Sequence, residues 1–161
     1  MSKVGVYSVM PNTIGSGYPT KSGRAEIIDR LQKSKMHVLI IFPPFANAAY
    51  QRMMASKKYA YIDALTMELN NSHPIFDFTN PNNVRETNDC EFIDGFHGGE
   101  TVYARMILQM AAKDKYLDDV INFGYLSELL NHHKGRSSPE TIALYGNGKP
   151  ESDFLGLRCI K

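Results

Sequence analysis

The sequence predicts an α/β fold, a three-layer sandwich built around a short parallel sheet. Residues 37–42 form an unbroken apolar run that two prolines close, which is typical of a strand buried on both faces. Segments with the two-residue period of strands alternate along the chain with segments that have the period of helices. The resulting order is strand, helix, strand, two helices, strand, loop and helix, which favours parallel strands joined by helical crossovers.

Each element in the first half of the chain has its own local signal. Residues 3–10 alternate between apolar and small or polar side chains, which predicts a first strand. A loop rich in Gly, Pro, Ser and Thr follows, and then apolar residues recur at helical spacing after Ser22, a candidate N-cap. Beyond the two prolines, the spacing of apolar residues predicts helices over residues 46–55 and 59–70.

The second half continues the pattern until it loses its periodicity. Residues 73–78 predict a short strand, and residues 79–90 a polar loop. Residues 101–112 form the clearest amphipathic helix, and residues 117–131 predict a further one. Residues 134–153 are rich in Gly, Ser and Pro without periodicity, so we expect irregular structure there.

Length and composition fit one domain, which we place at residues 1–133, followed by an irregular tail at residues 134–161. The chain has 161 residues, of which 43% are hydrophobic and 22% charged, values that are ordinary for a soluble globular protein. The net charge of +1 and the scattered Lys and Arg residues argue against a nucleic-acid partner. No apolar run is long enough for a membrane segment, so the chain as written is predicted to be cytoplasmic.

The cysteines and histidines predict neither a metal site nor a cofactor. Cys90 and Cys159 have no metal-type spacing, and one pair is no disulfide framework. We therefore expect two separate thiols, buried or incidental. The histidines outside residues 91–100 have no metal spacing relative to another ligand either.

The most informative stretch is residues 91–100, because it carries Asp94 three residues ahead of His97 on a glycine-rich loop. The loop lies between a predicted strand and a predicted helix. An aspartate there can accept a hydrogen bond from one ring nitrogen, which fixes the tautomer and leaves the other nitrogen to act as a base. The alternative is that Asp94 caps a turn and His97 is a solvated loop residue.

The residues around this pair resemble a known family. The runs 75–81, 89–97 and 98–106 look like the C-terminal block of SGNH/GDSL-type hydrolases. They are most similar to the branch that handles O-acyl groups on bacterial polysaccharides and cell-wall polymers. The resemblance covers about residues 25–112, and its most specific part is about thirty residues long.

The resemblance implies that Asp94 orients His97, which would be the base for a serine attacking an ester carbonyl. The family's nucleophile stands in a Gly-Asp-Ser block on the first strand, and this sequence has no such block. Asn88-Asp89 is similar in letters to the family's oxyanion-stabilising block, but its position predicts a turn. Ser8 and Ser16 are the substitute nucleophiles, although neither has the strand–turn–helix setting of an exposed catalytic serine. By the resemblance, the fold is SGNH-like and incomplete at its N-terminal side.

Two hypotheses follow for function. The chain is either part of an esterase or O-acetyltransferase that acts on acylated carbohydrate, or a catalytically inactive remnant or interaction module with the same fold. An incomplete sheet would leave an edge or an apolar face uncovered, so we expect a homo-oligomer or a complementing chain. Relatives in the resembled family often act outside the cytoplasm behind an N-terminal anchor, which this chain as written does not have.

Overall fold

The fold is known from a computed structural model that describes residues 4–8, 21–70, 75–147, 153 and 155–159. In chain order, the described strands and helices are β1 (Val4–Ser8), α1 (Lys21–Lys33), β2 (His37–Phe42), α2 (Asn47–Ala55), α3 (Tyr61–Asn70), β3 (Ile75–Asp77), α4 (Glu100–Ala111), α5 (Lys115–Val120), α6 (Phe123–His133) and α7 (Pro139–Tyr145). Two 3-10 turns, Pro81–Asn83 and Asp89–Glu91, lie between β3 and α4. The protein is thus a mixed α/β structure, as predicted.

The chain divides into two compact units. One consists of Met1–Phe42 and Tyr61–Phe76, and the other of Pro43–Ala60 and Asp77–Lys161. The first unit contains β1, β2, α1, α3 and the start of β3, and the second contains α2 and α4–α7.

The first unit is built on a sheet with the strand order β1-β2-β3. Strands β1 and β2 are parallel, in a register that pairs Val4 with His37 and Ser8 with Ile41, which confirms parallel pairing. Leu39 and Ile40 are adjacent in β2 and both are buried. Because adjacent strand residues point to opposite faces, both faces of β2 are covered, as predicted. The three-layer arrangement stays a prediction.

The second unit has α4 at its centre. Seven of the twelve residues of α4 are buried, among them Val102, Met106 and Met110, and the helix packs against α5 and α6. This is the helix that amphipathic periodicity predicted over residues 101–112.

Two predictions of helix boundaries are wrong. Helix α1 begins at Lys21, so Ser22 lies inside its first turn and is not the N-cap. The helix predicted over residues 117–131 is two helices, because Ile121 is extended and the Asn122 side chain accepts a hydrogen bond from the backbone of Tyr125 to start α6. Asn122 is a local capping signal, and it outweighs the apolar periodicity that runs through it.

The segment predicted to be irregular contains α7, and the start of α7 is packed within the second unit. The Thr101 hydroxyl donates to the backbone oxygen of Arg136 at 2.6 Å. The carboxylate of Glu100 accepts backbone N–H groups at the start of α7, from Glu140 at 2.8 Å and Thr141 at 2.9 Å. These contacts supply hydrogen-bond partners that the tail's own sequence does not reveal, and therefore the prediction of irregular structure is wrong over α7.

The prediction of two separate thiols is also wrong, because Cys90 and Cys159 form a disulfide across 69 residues of sequence. The bond ties residues 155–159 to the 3-10 turn that precedes the Asp94–His97 loop. Periodicity and spacing could not reveal it, because the folded chain brings the two Cα atoms to 5.6 Å. Within the described ranges, none of the helices combines the length and apolar character needed to cross a membrane.

Candidate active site

Asp94 and His97 meet inside a short closed loop of the second unit. The loop is closed by a hydrogen bond of 2.9 Å from the Ile93 N–H to the His97 carbonyl and by an antiparallel bridge between Phe92 and Gly98. Nδ1 of His97 lies 2.7 Å from Oδ2 of Asp94. The structure therefore brings the predicted pair together, and the catalytic role of the pair stays a prediction.

The second carboxylate oxygen of Asp94 is held by the backbone. Oδ1 accepts the N–H of Phe96 at 2.7 Å and the N–H of His97 at 2.8 Å. Asp94 thus caps a turn, as the alternative interpretation proposed, and holds the histidine at the same time. One carboxylate with both oxygens occupied has a fixed orientation, which is what a residue that positions a base requires.

Electrostatics keep Asp94 ionised. Partial burial raises the pKa of Asp94, but the hydrogen bonds from the His97 ring and from the N–H groups of Phe96 and His97 outweigh burial and leave the pKa below its ordinary value of 3.8. At neutral pH the ionised carboxylate therefore accepts a hydrogen bond from the Nδ1–H group, and Nε2 is the nitrogen left for acid–base exchange. The His97 side chain is 54% exposed, so a reactant can reach it.

A buried ion pair holds the first end of the loop. Glu91 is fully buried, and Arg105 on α4 is 7% exposed. Arg105 donates Nε to Oε2 of Glu91 at 2.9 Å and Nη2 to Oε1 at 2.8 Å. The same Oε1 accepts the N–H of Gly135 at 3.0 Å, which joins the end of α6 to the pair. The planar guanidinium fits a carboxylate with two parallel bonds, which gives the contact directional rigidity.

The second end of the loop is held by close backbone packing. A Cβ on Gly99 would lie 2.1 Å from the carbonyl oxygen of Ser137, so only glycine fits there. The backbone of Gly99 also donates to the carbonyl of Glu91 at 2.9 Å. The two ends of the loop are thereby fixed to each other and to the segment before α7.

The tip of the loop rests on the N-terminus of α2. The Gly95 carbonyl accepts the N–H of Ala46 at 3.1 Å, and the ring of Phe96 packs edge-on against Phe45 with centroids 5.9 Å apart. The carboxylate of Asp89 accepts the backbone N–H of Asn47 at 2.5 Å and that of Ala48 at 2.9 Å. Asn88-Asp89 thus forms the predicted turn, and its aspartate additionally caps α2.

Sequence reasoning missed Tyr103 as a neighbour of the pair. Burial and the negative charge of Asp94 raise the pKa of Tyr103 above its ordinary value. A Cβ on Gly98 would lie 3.7 Å from Cζ of this ring. Its position six residues after His97, in the first turns of the helix that follows the loop, is the signal that could have singled it out.

A groove of about 540 Å³ opens beside the loop tip, on the side of Phe96. Its apolar lining consists of Ala48, Ala49, Met53, Gly95 and Leu155. Arg52 and Lys58 contribute charged side chains, and Tyr59 and Phe96 contribute aromatic rings. Leu155 belongs to the C-terminal segment 155–159 that the disulfide holds, so that segment forms part of the groove wall.

The remaining sequence candidates are two serines and the histidines outside the loop. Ser8 ends β1 in the first unit, and Ser16 lies outside the described residues. No described serine side chain donates a hydrogen bond to His97. His132 and His133 lie at the C-terminal end of α6. Over the described part of the chain, no three His, Cys, Asp or Glu residues are grouped so that they could hold a metal ion.

Comparison with known proteins adds no identification. No protein-family model, no curated protein and no solved structure matches this chain.

Proposed function

We propose that Asp94 and His97 are the acid–base half of a serine ester hydrolase or acyltransferase that acts on O-acylated carbohydrate. The observation that carries the proposal is the 2.7 Å contact between His97 Nδ1 and an Asp94 carboxylate whose other oxygen is occupied by two backbone N–H groups. It is the base-and-orienter geometry on which acyl transfer by a hydroxyl nucleophile depends. The resemblance to SGNH/GDSL-type hydrolases supplies the substrate class.

In the proposed reaction, His97 Nε2 takes the proton of the nucleophile's hydroxyl as its oxygen attacks the acyl carbonyl. The imidazolium that forms is stabilised by Asp94, and it returns the proton to the departing sugar hydroxyl. Water then attacks the acyl-enzyme to complete hydrolysis, or an acceptor hydroxyl attacks it to complete transfer. The nucleophile is supplied by Ser8, by Ser16 or by a complementing chain.

The disulfide between Cys90 and Cys159 bears on where this reaction takes place. Stable disulfides persist in oxidising compartments and are rare in the cytoplasm. We therefore propose an extracytoplasmic site of action in place of the cytoplasmic one expected from the sequence. Alkylation of free thiols at the moment of cell lysis, followed by mass spectrometry, tests this. Two alkylated cysteines in the native protein would refute it.

The proposal is tested by turnover of a small aryl acetate. We expect His97→Ala and Asp94→Asn to lower the rate by about 10²–10⁴-fold, whereas His132→Ala, a histidine on exposed α6 surface, should leave it unchanged. A serine-directed phosphonate, with the labelled peptide found by mass spectrometry, identifies the nucleophile.

The competing hypothesis is an inactive remnant or interaction module. It predicts no turnover by the parent protein, alone or with a complementing chain, and no phosphonate label on any serine. Turnover that is equal in the parent protein and in His97→Ala would equally refute the catalytic proposal.

A further inference from the structure

We propose that the groove beside Phe96 binds a negatively charged group of a carbohydrate ligand, a carboxylate or a phosphate, through Arg52 and Lys58. As the subsite of an ester-processing enzyme, it rests on the proposed function. As a binding site, it is measurable without turnover.

The size and surface of the groove suit a small polar ligand. Its volume of about 540 Å³ lies within the range of about 300–1,000 Å³ that is usual for small-molecule sites. An apolar lining with a few polar groups at its edge fixes the orientation of a ligand that has both apolar and charged faces. The lining also belongs to one compact unit, so that no rearrangement between units is needed to form it.

The charge of the groove is of one sign. Among the described residues that line it, Arg52 and Lys58 are the ionisable side chains apart from the phenol of Tyr59, and none of these residues is acidic. Neither cation forms an ion pair within the described part of the chain. Two exposed cations beside one groove give it a local positive charge that the net charge of +1 does not reveal, and a cleft lined by one sign of charge attracts ions of the other sign.

The aromatic residues indicate that the anion belongs to a sugar. Phe96 is 49% exposed although it is a phenylalanine, and its ring is held edge-on by Phe45. Such a fixed, exposed ring offers a flat apolar surface for the C–H face of a pyranose. Tyr59 lines the same groove.

The position of Phe96 links the groove to the acid–base pair. Phe96 and His97 are consecutive, so their Cα atoms are about 3.8 Å apart. In the proposed binding mode, a sugar packs on Phe96 with its acidic group at Arg52 and Lys58, and its ester extends along the loop toward His97, which does not itself line the groove. The substrate class that follows is an O-acylated anionic glycan.

Calorimetric titration of the His97→Ala protein tests this, because that variant binds without consuming the ligand. The ligands are a uronic-acid oligosaccharide, a polyol-phosphate oligomer and a neutral oligosaccharide of the same length. We expect at least one anionic ligand to bind more tightly than the neutral one, and the stronger of the two identifies the source of the charge. Equal binding of all three would overturn the proposal.

The matched variants are Arg52→Gln/Lys58→Gln and, as a control with the same change in charge, Lys113→Gln/Lys115→Gln, which lies outside the groove. The first pair should weaken anion binding by about tenfold and reduce its salt dependence, and the control pair should change it less than twofold. A loss of less than threefold in the groove variant, with unchanged circular dichroism, would overturn the proposal.

The outcomes separate this inference from the proposed function. Anion binding that depends on Arg52 and Lys58, without any ester turnover by the parent protein, would support the binding site and refute the proposed enzymatic function. Turnover that depends on His97, without selective anion binding, would support the enzymatic function and refute the anion-binding site.

Discussion

The buried pair of Glu91 and Arg105 allows a quantitative test of what holds the Asp94–His97 loop, because Arg105 has two carboxylate partners in contrasting environments. Glu91 is fully buried and makes two hydrogen bonds with the guanidinium at 2.8 and 2.9 Å. Glu86 is 73% exposed, and its carboxylate lies 3.7 Å from Nη1 of the same arginine. Glu91→Gln and Glu86→Gln therefore remove the same charge from the same partner at different depths.

We expect the two substitutions to differ several-fold in their effect on the free energy of unfolding. Removing one member of a buried ion pair costs about 3–5 kcal/mol, because the other charge is left buried without compensation. Removing an exposed partner costs about 0–1 kcal/mol. Arg105→Lys keeps the charge but loses the two-point contact, so it should cost about 2 kcal/mol.

These differences are large relative to a total stability of about 5–15 kcal/mol. With a urea m-value of about 2 kcal/mol/M, a loss of about 4 kcal/mol in Glu91→Gln shifts the midpoint by about 2 M. Glu86→Gln should shift it by less than about 0.5 M.

The assay is urea unfolding followed by far-ultraviolet circular dichroism, since the chain has no tryptophan and the second unit carries most of the described helices. Because the chain forms two compact units, the transition that shifts should be the one belonging to α4 and α6. Equal midpoints for Glu91→Gln and Glu86→Gln, with unchanged m-values, would refute the reasoning that this pair anchors the loop.

Three further predictions concern the same unit. Reduction of the disulfide, or Cys90→Ser, should lower the free energy of unfolding by about 4 kcal/mol for a loop closed across 69 residues; identical urea midpoints with and without reductant would contradict this. Gly99→Ala should lower the free energy of unfolding by about 1–3 kcal/mol, because its Cβ would overlap the Ser137 backbone. Gly124→Ala lies in α6 and its Cβ would have nothing closer than 3.5 Å, so it should raise the free energy of unfolding by about 0.5–1 kcal/mol. Thermal midpoints that shift in the same direction in both variants would contradict the close packing of Gly99. Because the pKa of Asp94 is lower in the folded state, the stability that its ionised carboxylate contributes is present above pH 3.8 and is lost as the pH falls through the folded pKa. Carbon NMR titration should show a higher pKa for Asp94 in His97→Ala. An unchanged pKa would mean that the histidine does not hold the carboxylate.

The sequence identified those parts of the structure that depend on neighbours along the chain. The burial of β2 on both faces follows from its unbroken apolar run, and α4 follows from its periodicity. The contact between Asp94 and His97 is local, because three residues of a tight loop are enough to bring the side chains together. The start of α7 was also readable, since Ser138-Pro139-Glu140 is a helix-start signal, although the composition of the surrounding segment concealed it.

The contacts that hold the Asp94–His97 loop in place were decided by the tertiary structure alone, because the residues that make them are distant from each other in sequence. Glu91 and Arg105 are 14 residues apart, Asp89 and the α2 N-terminus about 41, and the two cysteines 69. From the sequence, the carboxylates of Glu91 and Asp89 would fit an exposed loop equally well. Only folding determines whether it meets a guanidinium, the N–H groups of a helix end or solvent, because local periodicity carries no information about which distant groups become neighbours.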